Sequence, residues 1–202
     1  MPRHVLKGIV ICWTIQDMAA WERLQRKGVL SGDGRRVPAY YRHAYRWMAD
    51  QMRLRLPLHG AKFPLWGWYR WQGTEQCRPD LRASGHLTKG TVGVRIEFDL
   101  PEENILLSDF NGWHCVLNRC FLSISEQEYE AFIGDLEKGG VEWGWPYPEP
   151  FHLRVVSSWQ RIFDLEAGDV ECWGLPCKRS IQATFWELTI PQIRRVDIFR
   201  AR

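Results

Sequence analysis

The sequence VGVRIEFD, residues 92–99, decides the fold. Apolar side chains occupy every second position, and glycine or charged residues fill the positions between them. This two-residue period predicts a strand with one buried face. Residues 9–16, 64–71, 105–107, 181–188 and 196–199 are further strand candidates, because they are short, rich in apolar or aromatic residues and mostly bounded by turn residues.

Helical spacing appears between these strands rather than in a regular alternation with them. We predict helices from Met18 to a stop at Gly28, over residues 39–56 before Pro57, over residues 109–118, and from a capping box at Ser125. Residues 142–152 are interpreted as an aromatic loop, and a short helix is expected to start at Ser157 or Ser158. The irregular order predicts one α+β domain over residues 1–202, with a bent, mostly antiparallel sheet flanked by helices.

Composition limits the function only weakly. The chain has 202 residues and a formal net charge of +3, which neither requires nor opposes a nucleic-acid partner. The start, Met1-Pro2-Arg3-His4, is followed by a short apolar stretch over residues 8–13. That stretch is too short for a signal peptide or a membrane span, so we expect a cytoplasmic protein with no membrane partner.

The cysteines form two C-x₄-C pairs, Cys115 with Cys120 and Cys172 with Cys177. This spacing lies at the edge of what zinc sites use, and a structural zinc site is the alternative interpretation. We expect reduced thiols and no metal, because Cys115 falls in a predicted helix where a residue five positions on points to another face.

Polar residues placed beside Trp, Phe and Leu indicate a pocket, because polar groups that lose water need a partner or a ligand. The structural alternatives are that Thr14 or Asp17 caps the helix that follows it, that Asp109 caps the helix over residues 109–118, and that Arg82 pairs with Asp80. On the functional interpretation six polar residues converge on one cleft with a tryptophan wall. They are Thr14, Gln16, Arg82, Asp109, His114 and Gln182, and the wall is formed by Trp13, Trp66 or Trp113.

Several strings together resemble a known bacterial family. They are WTIQ at 13–16, AYRWM at 44–48, PLWGW at 64–68, PDLR at 79–82, LLSDF at 106–110, WHCVLN at 113–118 and QATFW at 182–186. This set resembles the family catalogued as domain of unknown function three-eight-four-one, over nearly the whole chain. The family name implies no activity.

The chain also resembles, more distantly, the ADP-ribosyltransferase fold, through an early polar strand with a helix ending in glycine and the late string QATFW. That resemblance implies an enzyme that uses NAD as substrate to modify a macromolecule, a nucleic acid or a protein of the host, as a toxin or phage-defence component. The sequence departs from the pattern of that fold in having Thr184 where the catalytic glutamate would stand.

The resemblance implies roles for the candidate residues. Thr14 and Gln16 would hold the nicotinamide or its ribose, Arg82 would meet the pyrophosphate, and the tryptophans would stack on the nicotinamide. Gln182 or Glu187 would orient the acceptor or stabilise the oxocarbenium ion, and His114 is a candidate acid–base group.

The competing hypothesis is a non-catalytic module that binds nucleic acid or protein, for example with an antitoxin partner. It depends on the aromatic loop at 142–152 and on an arginine-rich helix that carries Arg42, Arg46, Arg53 and Arg55. A solvated helix face is the plain alternative for those arginines.

Overall fold

The computed structural model describes residues 8–57 and 59–202, so the first residues used above for the leader lie outside it. Its centre is an antiparallel pair of long strands, β1 (Ile9–Asp17) and β4 (Val92–Pro101), aligned with Trp13 opposite Glu97. The alternating pattern of residues 92–99 forms a strand, as predicted, and the structure places this strand between β1 and β8.

Four more strands complete the main sheet: β3 (Leu65–Arg70), β5 (Leu106–Asp109), β6 (Ile181–Phe185) and β8 (Ile193–Arg200). The strand order is β5-β6-β3-β1-β4-β8, and all pairings between described residues are antiparallel. Two short strands, β2 (Val29–Ser31) and β7 (Glu187–Thr189), form a separate ribbon. The α+β class and the antiparallel sheet are confirmed.

The described residues also contain six α-helices: α1 (Met18–Lys27), α2 (Arg42–Arg55), α3 (Phe110–Leu117), α4 (Glu126–Lys138), α5 (Phe151–Ser158) and α6 (Val170–Trp173). The start of α1 is capped by Asp17, whose carboxylate accepts from the Ala20 N–H at 2.7 Å. Its end is Gly28 at φ 75°, a left-handed conformation that favours glycine. Within the described ranges, none of these helices is both apolar and long enough to cross a membrane.

The core is divided between the two faces of the main sheet. One face packs against α1 and the β2–β7 ribbon through mainly aliphatic side chains such as Leu24, Val94 and Leu188; we call it the aliphatic face. The other packs against α2 and α3 through residues such as Met48 and Trp113; we call it the aromatic face. Both cores share one sheet and are therefore parts of one domain.

One helix was missed by the sequence analysis, and one strand prediction is wrong. The short helix expected from Ser157 or Ser158 is present as a 3-10 helix over Trp159–Phe163, with Ser158 at its N-cap position. The missed helix is α5, which begins at Phe151 inside the predicted aromatic loop, because the prolines at 148 and 150 precede the helix rather than break it. The Glu149 carboxylate accepts from the Leu153 N–H at 3.2 Å in this first turn.

The single strand expected over residues 181–188 is two strands that belong to different sheets. The break falls at Trp186, after which the chain leaves β3 and pairs with β2. Gln182 and Glu187 therefore sit in separate sheets, a division that apolar periodicity could not reveal.

Candidate functional site

Two adjoining cavities lie where β1, β3 and α2 meet, and both are lined by Ile15 and Trp66. The first, of about 220 Å³, is also lined by Gln16 and Tyr45, and we call it the Gln16 cavity. The second, of about 160 Å³, is also lined by Gln182, and we call it the Gln182 cavity. Together they form what we call the aromatic groove.

Trp66 and Tyr45 line this groove, and Trp113, which is buried and lines neither cavity, packs behind them. The Trp66 and Trp113 rings lie 4.7 Å apart between centroids, and the Tyr45 ring contacts them at 5.7 and 5.8 Å. Burial raises the pKa of the Tyr45 phenol. We call these three residues the aromatic wall. Because Trp66 faces both cavities, the wall offers a flat ligand an apolar surface.

Buried polar atoms without partners lie beside this wall. Among the described residues, Trp66 Nε1, Ser108 Oγ and Gln182 Oε1 make no hydrogen bond. Ser108 is paired with Gln182 across β5 and β6, and Gln182 with Trp68 across β6 and β3, so these side chains share one face of the sheet. Each buried unpaired group costs about 1–3 kcal/mol, which a bound ligand or water would recover.

Thr14 and Gln16 extend from β1 toward the aliphatic face. The Thr14 hydroxyl is fully buried and donates to the Trp66 carbonyl at 2.7 Å, while Gln16 Nε2 donates to the Thr14 hydroxyl at 2.8 Å. Gln16 lines the Gln16 cavity, whereas Thr14 lines neither cavity. Thr14 therefore positions Gln16 and joins β1 to β3.

Arg82 lies outside the aromatic groove in an exposed turn. Its guanidinium donates to the Asp80 carboxylate at 2.8 Å, and its side chain is 77% exposed. The hydrogen bond from Arg82 lowers the Asp80 pKa to about 2. The cations that line the groove are instead Arg23 and Arg36, in the Gln16 cavity. Arg36 also pairs with the Asp17 carboxylate.

Asp109 is the buried N-terminal cap of α3, as its structural alternative predicted. Its Oδ1 accepts from the Gly112 N–H at 2.7 Å. Burial raises its pKa, opposed in part by that hydrogen bond. Asp109 lines a third cavity of about 120 Å³ together with Cys115 and Cys172, so it does not belong to the aromatic groove.

His114 is exposed on α3, with Nδ1 donating to the Phe110 carbonyl at 2.9 Å. Its ring packs edge-on against Phe110, which in turn contacts Trp68 at 4.9 Å between ring centroids. His114 is thus next to the groove without lining it.

The remaining candidate site residues lie either in the aromatic wall or outside the groove. Trp113 belongs to the aromatic wall, whereas Trp13 donates its indole N–H to Glu97 at 2.9 Å. Glu187 lies 3.2 Å from His59 Nε2 and lines a fourth cavity, of about 120 Å³, with Trp186. Among the described residues, the one carboxylate that lines the aromatic groove is Asp33, which pairs with Arg35.

The arginines of α2 are partly neutralised. Arg53 pairs with Asp50 at 2.6 Å, and Arg55 donates to the Gln51 and Gln160 amide oxygens while its guanidinium lies over the Phe163 ring. Arg42 and Arg46 are exposed on the same helix. This mixture of paired and solvent-exposed arginines is typical of a solvated helix face rather than of a binding surface.

The described residues contain no group of three or more His, Cys, Asp or Glu side chains that could hold a metal ion. All six cysteines are free; Cys172 and Cys177 are exposed, whereas burial raises the pKa of Cys115 to about 11.

Sequence reasoning did not name Tyr45, Trp68 or Ser108 as site residues. Tyr45 lies on the inward face of α2, a position that its helical spacing indicated. Ser108 could be linked to Gln182 only through the pairing of β5 with β6, which the sequence does not encode locally.

The architecture defines an α+β protein with a candidate ligand groove at the junction of three strands and a helix. The chain belongs to the family described as domain of unknown function, DUF3841, whose model matches residues 11–194. No curated protein and no solved structure matches the chain. The comparisons therefore support the family and give no support to the resemblance to the ADP-ribosyltransferase fold.

Proposed function

We propose that the aromatic groove binds the nicotinamide end of NAD and that the protein is an ADP-ribosyltransferase-like enzyme acting on a macromolecule in the bacterial cytoplasm. The observation that carries the binding half is the pair of buried, unpaired polar atoms Trp66 Nε1 and Gln182 Oε1, which belong to residues that line the Gln182 cavity. The transfer half, and a role as a toxin or phage-defence component, come from the resemblance of the sequence.

The residues present fit a nicotinamide riboside. The ring is flat and suits the aromatic wall, and the Trp66 indole N–H can donate to its carboxamide oxygen. Gln182 Oε1, on a residue that lines the Gln182 cavity, can accept from a ribose hydroxyl. We assign Arg23 and Arg36 the pyrophosphate role that the resemblance implied for Arg82, because they line the groove and Arg82 does not.

The size of the groove is consistent with part of a dinucleotide. Ligand cavities usually begin at about 300 Å³, a volume that neither cavity reaches alone but that the two reach together. The adenosine end would extend beyond the aromatic groove toward solvent.

Transfer breaks the bond between the ribose C1′ and the nicotinamide nitrogen, and the electron pair leaves with nicotinamide. The acceptor oxygen or nitrogen then bonds to C1′ and releases its proton to a base or water. The Gln182 Oε1 is the partial negative charge on this chain that would stabilise the positive C1′. Glu187 and His114 lie outside the groove, so neither is assigned this role.

The binding half is tested by thermal unfolding with and without NAD. We expect NAD to raise the melting temperature of the wild type, because a ligand at about 100 times its Kd stabilises the folded state by about 2.7 kcal/mol. The variant Gln182→Leu should lose most of this shift, and Gln25→Leu, an exposed change on α1, should keep it. Absence of any shift in the wild type would exclude NAD as the ligand.

The transfer half is tested by incubating the protein with labelled NAD and a cell lysate. Label that becomes attached to a macromolecule, and is lost in Gln182→Leu, supports an enzyme. An NAD-dependent shift without any label transfer would instead favour the non-catalytic binding module.

A further inference from the structure

A second, larger depression continues directly from the Gln16 cavity. It has a volume of about 550 Å³, and we call it the basic groove. The loop after β2 and the aromatic Phe63 line both, so the two are one continuous surface. A ligand chain that lies in the basic groove therefore leads toward the aromatic wall.

The basic groove has an excess of positive charge. Four cations line it, Arg23, Lys27, Arg35 and Lys62, against the single carboxylate of Asp33. Asp33 is committed to Arg35 at 3.1 Å. Within residues 8–57 and 59–202, Lys27 and Lys62 have no ion pair and are exposed, so their charges are available to a ligand.

The wall between the basic groove and the Gln16 cavity is closely packed. A Cβ placed on Gly32 would lie 2.4 Å from the Pro64 carbonyl oxygen, and one on Gly34 would lie 2.3 Å from the Phe63 ring. The loop lies so close to residues 63 and 64 that only glycine fits at these two positions. The backbone of this loop, which carries Arg35, is therefore held at a fixed position beside the aromatic groove.

We propose that the basic groove binds the phosphate backbone of a single-stranded nucleic acid, the acceptor that the aromatic groove would modify. A cationic groove that follows the backbone, next to aromatic rings on which bases stack, is the arrangement that single-strand binding uses. As an acceptor site this rests on the proposed function, whereas as a nucleic-acid binding site it does not.

The test is fluorescence anisotropy with labelled DNA and RNA oligonucleotides of roughly 12 nucleotides, single-stranded and duplex, between about 50 and 200 mM salt. The compared proteins are the wild type, Lys27→Glu/Lys62→Glu, and the matched control Arg26→Glu/Lys138→Glu, which reverses two exposed charges outside both grooves. A third variant, Arg42→Glu/Arg46→Glu, changes the exposed face of α2.

We expect the single strand to bind more tightly than the duplex, whose paired bases cannot stack on Phe63, the aromatic side chain that lines the basic groove. The groove variant should bind the single strand at least tenfold more weakly at low salt, and the slope of log K against log salt should fall by about 1.4, since each single-strand phosphate contributes about 0.7. The control and the α2 variant should match the wild type.

The proposal is overturned if the wild type does not bind at low salt, if duplex binds as tightly as single strand, or if the control or α2 variant weakens binding equally. Thermal unfolding with NAD separates the two proposals. An NAD shift retained in the groove variant leaves the proposed function intact, whereas its loss together with oligonucleotide binding would assign the basic groove to the NAD phosphates. If the wild type binds oligonucleotides but its melting temperature does not change with NAD, only the proposed function is refuted.

Discussion

Two groups of buried polar side chains, on opposite faces of the main sheet, differ in whether their hydrogen bonds are made within the chain. On the aliphatic face, the Thr14 hydroxyl donates to the Trp66 carbonyl and accepts from Gln16, so its hydrogen bonds are made within the chain. On the aromatic face, Ser108 and Gln182 are neighbours with oxygens that no described residue contacts through a hydrogen bond. Both sets occupy adjoining strands of one sheet.

This difference is the reason why we propose Gln182, and not Thr14, as a ligand-binding residue. A buried polar group that is satisfied internally stabilises the fold, and an unpaired one lowers stability until something binds to it. Thr14 and Gln182 were equal candidates in the sequence because both lie between apolar neighbours. Their hydrogen-bond partners, and not their surroundings, distinguish them.

The strongest test of the aromatic face is Trp113→Ala. Trp113 is 3% exposed and packs on Trp66 and Tyr45, so its truncation should lower the free energy of unfolding by about 3–5 kcal/mol. Urea denaturation followed by circular dichroism measures this change. A loss below about 1 kcal/mol would mean that the wall is a loose surface rather than part of the core.

Thr14→Val tests the satisfied face. The change keeps the shape of the side chain but leaves the Trp66 carbonyl and the Gln16 amide without their partner, so we expect a loss of about 1–3 kcal/mol in the free energy of unfolding. Thr91→Val, at a partly exposed position before β4, is the comparison variant. Equal stability of Thr14→Val and the wild type would remove the contrast between the two faces.

Asp109 gives a pH-dependent test at the end of β5. Because burial raises its folded pKa above the unfolded value of about 3.9, the wild type gains stability from this group below that value and loses it as the pH rises through the folded pKa. Asp109→Asn keeps the cap on the Gly112 N–H and removes this titration.

The stability of the wild type relative to Asp109→Asn should therefore fall as the pH rises from about 4 toward neutrality. Urea denaturation at several pH values measures the difference. A relative stability that increased with pH would show that the hydrogen bond from Gly112 outweighs burial.

The smallest effects are expected at the unpaired oxygens. Ser108→Ala and Gln182→Leu each remove a buried group that has no partner among the described residues, so unfolding free energies should change by less than about 0.5 kcal/mol or should rise. The same denaturation experiment, with Thr14→Val as reference, measures them. A loss of about 2 kcal/mol or more in the free energy of unfolding would reveal a partner such as an ordered water and would weaken the ligand interpretation.

Local patterns predicted the elements well and the pairings poorly. The alternation at 92–99 and the capping residue Asp17 are readable because their causes lie within a few residues. The ribbon of β2 with β7 was missed because three-residue strands have no period of their own. For the site, Trp66 and Gln182 were identified from their apolar neighbours, whereas Ser108 depends on a partner strand more than 70 positions away.

Two residues that we predicted in the groove lie outside it because each forms a hydrogen bond to a group close by in the sequence. Arg82 is two residues from the Asp80 carboxylate, and Asp109 is three residues from the N–H that it caps. Short-range hydrogen bonds of this kind compete with a distant site, and the sequence presents both options equally.

The strand order has a consequence for how the protein folds. The groove joins Ile15 near the start of the chain to Gln182 near its end, through β3, whose neighbours in the sheet come from those two distant segments. Pairings between such distant segments form slowly, because the intervening loop must close first. A nascent chain in which β6 has not yet been synthesised cannot form the groove. Any activity of the groove would therefore begin only after Phe185 has been added and β6 has paired with β3.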